Sequence, residues 1–351
     1  ANHEDFAGVG TAIPDALQWW RVQAMKDIGA NAWRTAHNPP TRALLDAADA
    51  LGLLVILEND ALGAGPSRLE RLRTLVLRDR HHPCVVAYSL CNEGLCREPD
   101  DHEADFANSV GASLRMQQLI RELDSDHGGR AVTAAINRGF GGTFERSFER
   151  LIGYNYHHSE YARHAWRTSA AAQRASSEQV LYASEVSSAF GDRAEYPSSA
   201  LAAQPAQYLP ATGEFVPAWG SSWAEGWCAV MAAFEKKKLA GGFAWSGFDY
   251  RGEPFGWHST AGPSTTVDAV ANISGAWPFV LSRFGLLDYA GFQKDGAGFF
   301  RAMARRFDAQ ASDISARLAD GTPLVTAEAR GAGRIVLFHV TANAEWSNLP
   351  L

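Results

Sequence analysis

Cysteine is scarce. Four residues in 351, Cys84, Cys91, Cys96 and Cys228, show no C-x-x-C spacing, which argues against a disulfide framework and against a zinc knuckle. Three of the four flank one apolar stretch, so they do not decide the compartment, which stays open between the cytoplasm and the periplasm of a bacterium. Blocks of like charge are missing as well. The formal net charge of −7 is spread along the chain, which argues against nucleic acid and against an anionic membrane surface as partners. No apolar run reaches about 18 residues, so no membrane-spanning helix is expected. The opening ANHEDFAGVG has neither the basic nor the apolar region of a signal peptide; it reads as mid-domain sequence, and loss of a leader is one expectation.

What the chain does have is core material. With 46% hydrophobic and 20% charged residues it can bury a large interior, and a single α/β barrel commonly runs to about 250 residues. Glycine-closed helices alternate with short apolar strands. After Pro14, the residues Leu17, Trp20, Ala24 and Ile28 recur at helical spacing before a stop at Gly29, which predicts a helix buried on that face. A strand in NAWRT follows. Then come a helix over 42–51 closed by Gly52, a strand over 53–58, a helix over 67–79 and a strand over 85–92. Further on, the pattern predicts a helix over 101–123, strands over 131–135, 151–154 and 180–185, a helix over 222–237 and a strand over 242–245. If residues 1–5 end a first strand, the count is eight. The fold class expected is therefore a (β/α)8 TIM barrel with a C-terminal β-rich tail: barrel over 1–305, tail over 306–351.

Strands buried on both faces explain why LLVIL and VVAYSL are continuous apolar runs. Their C-terminal ends are not apolar. In order they carry His3 and Asp5, then residues 34–38, Glu58 with Asp60, Asn92 with Glu93, Asn155 with Tyr156, Glu185, and Trp245. A rim so rich in polar and aromatic groups describes a pocket for a polyhydroxylated ring, hence a small carbohydrate. Glu93 and Glu185 close strands expected to face each other across the barrel mouth. Glycoside hydrolysis with retention needs such a pair about 5 to 5.5 Å apart, one carboxyl protonating the leaving oxygen while the other attacks the anomeric carbon. The acid then needs a raised pKa, and the nucleophile needs donors such as Arg34 and Tyr156.

The stretches GANAWRTAHNPP, LLDAADALGLLVILEND, VVAYSLCNEG, IGYNY, YASEVSS, GGFAWSGFDYRGEP and SRFGLLDYAGFQKD resemble, in order and spacing, the catalytic barrel of glycoside hydrolase family 2, its β-galactosidase branch above all. The likeness runs from residue 1 to about residue 302. It implies a retaining exo-β-glycosidase, with Glu93 as acid/base and Glu185 as nucleophile. Asn92 would bind the sugar 2-hydroxyl, Tyr156 would bond the nucleophile and Arg34 would support it. His37 would bind sugar, Trp245 would form the floor of the subsite, and His3 and Asp5 would line its wall.

Departures from the pattern carry information too. ENDALGAG lacks the Glu-x-His pair with which some members hold magnesium, so no metal and no cofactor are expected. The asparagine-lysine signature that reads a uronate is not evident, which favours a neutral sugar. An insertion, HSTAGPSTTVDAVANISGAWPFVL, is expected to lie over the rim. The sandwich domains that normally precede the barrel are not in this sequence. Past residue 305 the likeness stops, and PLVTAEARGAGRIVLFHV reads as two strands about a glycine-rich turn. That tail is either the first hairpin of a following sandwich or a fused segment resembling bacterial membrane-associated proteins. Neighbouring subunits complete pockets in this family, so a homo-oligomer stays open.

Two competing readings remain. One is a silent carbohydrate-binding barrel. The other is metal-dependent hydrolysis through His81-His82 or His157-His158, pairs whose adjacent side chains are expected to point to opposite sides and so to make poor joint ligands.

Overall fold

The computed structural model describes residues 6, 9–97, 109–124, 130–137, 142–163, 180–189, 207–209, 214–216, 220–235, 239–251, 281–282, 284–294, 313–317, 323–330 and 333–338. The first helix, α1 (Asp15–Asp27), buries Gln18, Arg21, Val22 and Met25. That is not the face its apolar spacing predicts: Trp20 is 39% exposed, and Leu17, Ala24 and Ile28 pack only against the core's edge. Polar side chains go inward because partners wait there. The Arg21 guanidinium lies 5.2 Å from the Trp33 ring and 5.5 Å from the rings of Phe6 and Phe248, and Gln18 accepts from Arg21 and donates to Thr41. Aromatic faces thus compensate a buried cation.

The chain then alternates as expected: β1 (Ala32–Arg34), α2 (Arg42–Leu51), β2 (Leu54–Glu58), α3 (Pro66–Asp79) and β3 (Val85–Asn92). Gly52 ends α2 in a left-handed conformation, φ 72°, with its N–H on the Ala48 carbonyl, a closure that suits glycine because it has no Cβ. After a 3-10 turn (Glu93–Cys96) come α4 (Val110–Leu123), β4 (Ala131–Ile136), α5 (Thr143–Arg146), β5 (Leu151–Asn155), α6 (His158–Arg163) and β6 (Val180–Ser187). A hairpin of β7 (Gln207–Leu209) and β8 (Glu214–Val216) precedes α7 (Trp223–Glu235) and β9 (Gly242–Trp245).

Seven strands form one parallel sheet in the order β1-β2-β3-β4-β5-β6-β9. This is a nearly closed TIM barrel. The eighth strand expected from residues 1–5, the start of the helix expected from residue 101, the insertion up to its last residue and the boundary near residue 305 lie outside the described residues. Inside the barrel, Ile56, Ala87, Tyr182 and Phe243 cluster with Ala32, Ala131 and Leu151, one residue from each strand. Strand side chains alternate with period two. Two residues further along, the same inner face therefore carries Arg34, Glu58, Ser89, Thr133, Gly153, Ser184 and Trp245: an apolar plug, then a largely polar floor.

One expectation needs correction. Cys91 and Cys96 form a disulfide with a Cα–Cα distance of 5.0 Å. The spacing hides it because a 3-10 turn, not a strand, follows β3 and folds the second cysteine back within bonding range. Beyond the barrel, β10 (Tyr250–Arg251) pairs with β11 (Leu281–Ser282). β12 (Asp313–Arg317), β13 (Pro323–Arg330) and β14 (Gly333–Phe338) make a three-stranded antiparallel sheet. The hairpin of β13 and β14 matches the two strands read from the sequence; β12 is additional. Among the described residues no helix is long and apolar enough to cross a membrane.

Candidate active site

The polar floor is organised around Arg34, which is wholly buried at the end of β1. Its Nε donates to Glu58 Oε2 at 2.8 Å, its Nη1 to Glu185 Oε1 at 2.9 Å, and its Nη2 to Asn92 Oδ1 at 2.8 Å. One planar fork thus reads three strand ends at once, a geometry lysine would not reproduce. Ser89 Oγ also donates to Glu58, and His37 Nδ1 lies 2.8 Å from Glu58 Oε1. Burial alone would push the Glu58 carboxyl up, yet Arg34, His37 and Ser89 hold it below its ordinary value. Burial likewise opposes a charged His37, but the hydrogen bond and charge of Glu58 raise its pKa.

Glu185, buried near the end of β6, receives Arg34 on one oxygen and Tyr156 Oη at 2.6 Å on the other. The Tyr156 hydroxyl is held well above its ordinary pKa by burial and by the charge of Glu185, so it remains a donor. Glu93 has a different environment. It stands just past β3 and takes a 2.7 Å hydrogen bond from Asn155 Nδ2, which also donates to Asn92 at 3.0 Å; Ser184 Oγ fixes the Asn155 amide from behind. Burial first, and the charge of Glu185 second, raise the Glu93 carboxyl to about 7. The site therefore holds one carboxyl near the point of protonation beside another that is ion-paired to arginine.

The backbone contributes to the aim of these groups. Register shifts interrupt β3 before Asn92, β5 before Asn155 and β6 before Val186, and such bulges redirect side chains at a rim. Glu93 (φ 46°), Tyr156 (φ 60°), Ser187 (φ 76°) and Ser188 (φ 54°) are left-handed without being glycine. Each costs on the order of 1–2 kcal/mol. Trp245 closes β9, with its indole ring stacked on His37 at 5.1 Å and its Nε1 donating to Tyr250 Oη.

Of the site residues named from the sequence, Arg34, His37, Asn92, Glu93, Tyr156, Glu185 and Trp245 converge on this floor; His3 and Asp5 lie outside the described residues. Glu58, Asn155 and Ser184 were given no role. Their signal was position: Glu58 is a carboxylate closing the apolar run LLVIL, and Asn155 closes IGY.

The histidine pairs do not join the floor. His158 Nε2 accepts from the Ser187 N–H, and its pKa is pushed down to about 4 by burial and then by His157. His81 and His82 do not point to opposite sides, since their rings lie 4.3 Å apart; both sit in the turn before β3 instead of on a strand. His82 Nδ1 engages Asp49 at 2.6 Å, and Asp49, His82 and Cys84 have ligand spacing. Burial and Asp49 push the Cys84 thiol up, however, which opposes the thiolate a metal would need. This group is at the start of β3, the end opposite the floor.

The family model for the TIM barrel domain of glycosyl hydrolases family 2 matches residues 1–255. This chain belongs to that family. A β-galactosidase of Bacteroides ovatus is 27% identical over 84% of the chain and 36% of its own length. A β-glucuronidase of Streptococcus agalactiae is 28% identical over 29% of the chain and 21% of its own length. Among solved structures, a family 2 β-galacturonidase from Eisenbergiella tayi superposes with a TM-score of 0.61 at 18% identity, covering 86% of this chain and 50% of that one. The chain thus spans about a third of the Bacteroides relative. Family 2 barrels similar to it carry both galactosidase and glucuronidase names, which establishes a β-glycosidase family without fixing the sugar.

Proposed function

We propose that this barrel hydrolyses a terminal β-glycoside of a neutral sugar, a β-D-galactoside first, with retention. Glu185 attacks the anomeric carbon while Glu93 gives its proton to the glycosidic oxygen. The C–O bond breaks, the alcohol leaves, and the sugar remains as an ester on Glu185. Esterification removes the negative charge that helps keep Glu93 protonated. The Glu93 pKa then falls, and its carboxylate takes a proton from the water that opens the ester. Asn92, whose carbonyl oxygen is held by Arg34 and Asn155, bonds the 2-hydroxyl, and Tyr156 steadies Glu185 until it attacks.

The observation that carries the reading is the asymmetry of the two carboxyl groups: Glu93 raised to about 7 by burial and by Glu185, and Glu185 paired to Arg34 and Tyr156. The two cations on the floor, Arg34 and His37, are already engaged by Glu58 and Glu185, which supports a neutral sugar over a uronate. The test is Glu185→Gly assayed with aryl β-galactosides and azide. Lost turnover, restored by azide as a glycosyl azide of inverted configuration, is expected; undiminished hydrolysis by the variant refutes the assignment. A nitrophenyl panel of β-galactoside, β-glucoside and β-glucuronide fixes the sugar.

A further inference from the structure

We propose that the Cys91–Cys96 disulfide is a clamp that positions Glu93, making the two cysteines positioning residues for proton transfer. The inference rests on the reading of Glu93 as acid/base given above. The bond closes the short loop CNEGLC, whose interior holds Asn92 and Glu93. Both sulfurs are anchored. Cys91 and Cys96 are completely buried in the main apolar core, one on β3 and the other at the end of the 3-10 turn.

The loop tip has little packing of its own. Leu95 is 50% exposed, and a Cβ added at Gly94 would meet nothing within 4 Å. Yet at this tip Glu93 holds a left-handed backbone, φ 46°, which a glutamate adopts only when its surroundings impose it. Besides the hydrogen bond from Asn155 to the Glu93 side chain, backbone bonds from Leu62 to Leu95 and from Arg97 to Gly94 secure the tip. The 3-10 turn over Glu93–Cys96 adds only its own short-range backbone bonds. The disulfide adds a covalent tie into the core, joining the residue before Asn92 to the residue two beyond Gly94.

A general acid works only within hydrogen-bond reach of the oxygen it protonates, so a loop free to relax toward ordinary φ would carry the carboxyl off its line. A phosphine reductant with water supplies two electrons and two protons, leaving two thiols and the phosphine oxide. Every side chain then remains present while the clamp is open.

The test has two arms. Protein purified without reductant and denatured should show two reactive thiols, Cys84 and Cys228; four would overturn the proposal. In the second arm kcat/KM, which reports the glycosylation step, is measured for dinitrophenyl and methyl β-galactosides. Protonation assistance matters little for the first leaving group and greatly for the second. Phosphine-reduced protein, and separately the Cys91→Ala/Cys96→Ala double variant, should lose about tenfold on the methyl glycoside and stay within about twofold on the dinitrophenyl one. Equal losses on both, or none, overturn the clamp. Glu93→Gln is the control: if its losses are also equal on both substrates, the acid/base reading falls and the clamp with it. If Glu93→Gln depends on the leaving group and the reduced protein does not, the clamp alone falls.

Discussion

Glu93→Gln tests the electrostatics of the site twice, in stability and in kinetics. The amide keeps the shape of the carboxyl, and its carbonyl oxygen can still accept from Asn155 Nδ2, as Glu93 Oε1 does at 2.7 Å. What it removes is ionisation. In the folded chain the Glu93 carboxyl is raised from 4.5 to about 7, by burial and by Glu185, so the native state binds a proton that the unfolded chain has released. The sign follows: stability falls as pH rises through that interval and levels off above it. A displacement of this size corresponds to about 3 kcal/mol, discounted to about 2 kcal/mol because Glu93 is only partly enclosed. Denaturant titrations of both proteins at about pH 5 and about pH 8 should show the advantage of Glu93→Gln growing by about 2 kcal/mol between them. In kinetics, wild-type kcat/KM for an alkyl galactoside should fall tenfold per pH step above about 7, with that limb absent from the variant. A stability difference that does not change with pH, or a variant less stable at the higher pH, would refute the reasoning.

Glu58→Ala should destabilise by about 3–5 kcal/mol in denaturant titration, because it leaves Arg34 wholly buried with one of its two carboxylates gone. In Glu58→Gln the loss should depend on pH. The folded pKa of His37 is raised by Glu58, so the stabilisation is complete below the ordinary 6.5 and disappears as pH rises through the folded value; the variant should lack that slope. Tyr156→Phe removes a 2.6 Å donor to Glu185 and should lower kcat/KM for aryl galactosides by about ten- to a hundredfold; because Glu185 is buried, stability in denaturant titration should also fall by about 1–3 kcal/mol. At Gly153 an added Cβ would lie 2.6 Å from Tyr182 Cζ and 2.8 Å from Ser184 Cβ, so Gly153→Ala should cost about 1–3 kcal/mol, read as a lowered midpoint.

The rim was legible in the sequence because a parallel strand buried on both faces leaves no place for a carboxylate except its end. Glu58, Glu93 and Glu185 stood out against LLVIL, VVAYSL and VLYA for that reason. What each end does was less legible. Arg34 bonds residues 24 and 151 positions away, and the barrel's closure, not local spacing, brings them together. That is why Glu58 and Asn155 appeared as strand ends without a role. Apolar spacing predicts the wrong buried face for α1 because it assumes that polar residues face water, whereas Arg21 goes inward to three aromatic rings. The disulfide is hidden in the sequence for a related reason, since C-x4-C closes here through the 3-10 turn that follows the strand.

The charges of the floor explain why two carboxyl groups so close together can differ. Arg34 is positive and His37 is favoured as a cation; Glu58 and Glu185 face them as ion-pair partners. With Glu93 neutral the four charges cancel. A third carboxylate would be unbalanced in a buried place, where an uncompensated charge is costly, and this is the physical content of the raised Glu93 pKa. On the proposed mechanism the ester at Glu185 deletes one negative charge and leaves the floor with a net positive one. The condition that held the proton on Glu93 has then reversed, and an ionised Glu93 restores the balance. The same residue is acid before the ester forms and base after it, with no movement required of Arg34, His37 or Glu58. The argument fails at a specific point: a His37→Gln variant removes one of the positive charges that hold the Glu93 carboxyl down and should make Glu93 harder to ionise, moving the alkaline limb of kcat/KM to higher pH, and a limb displaced to lower pH would show that the floor does not balance its charge in this way.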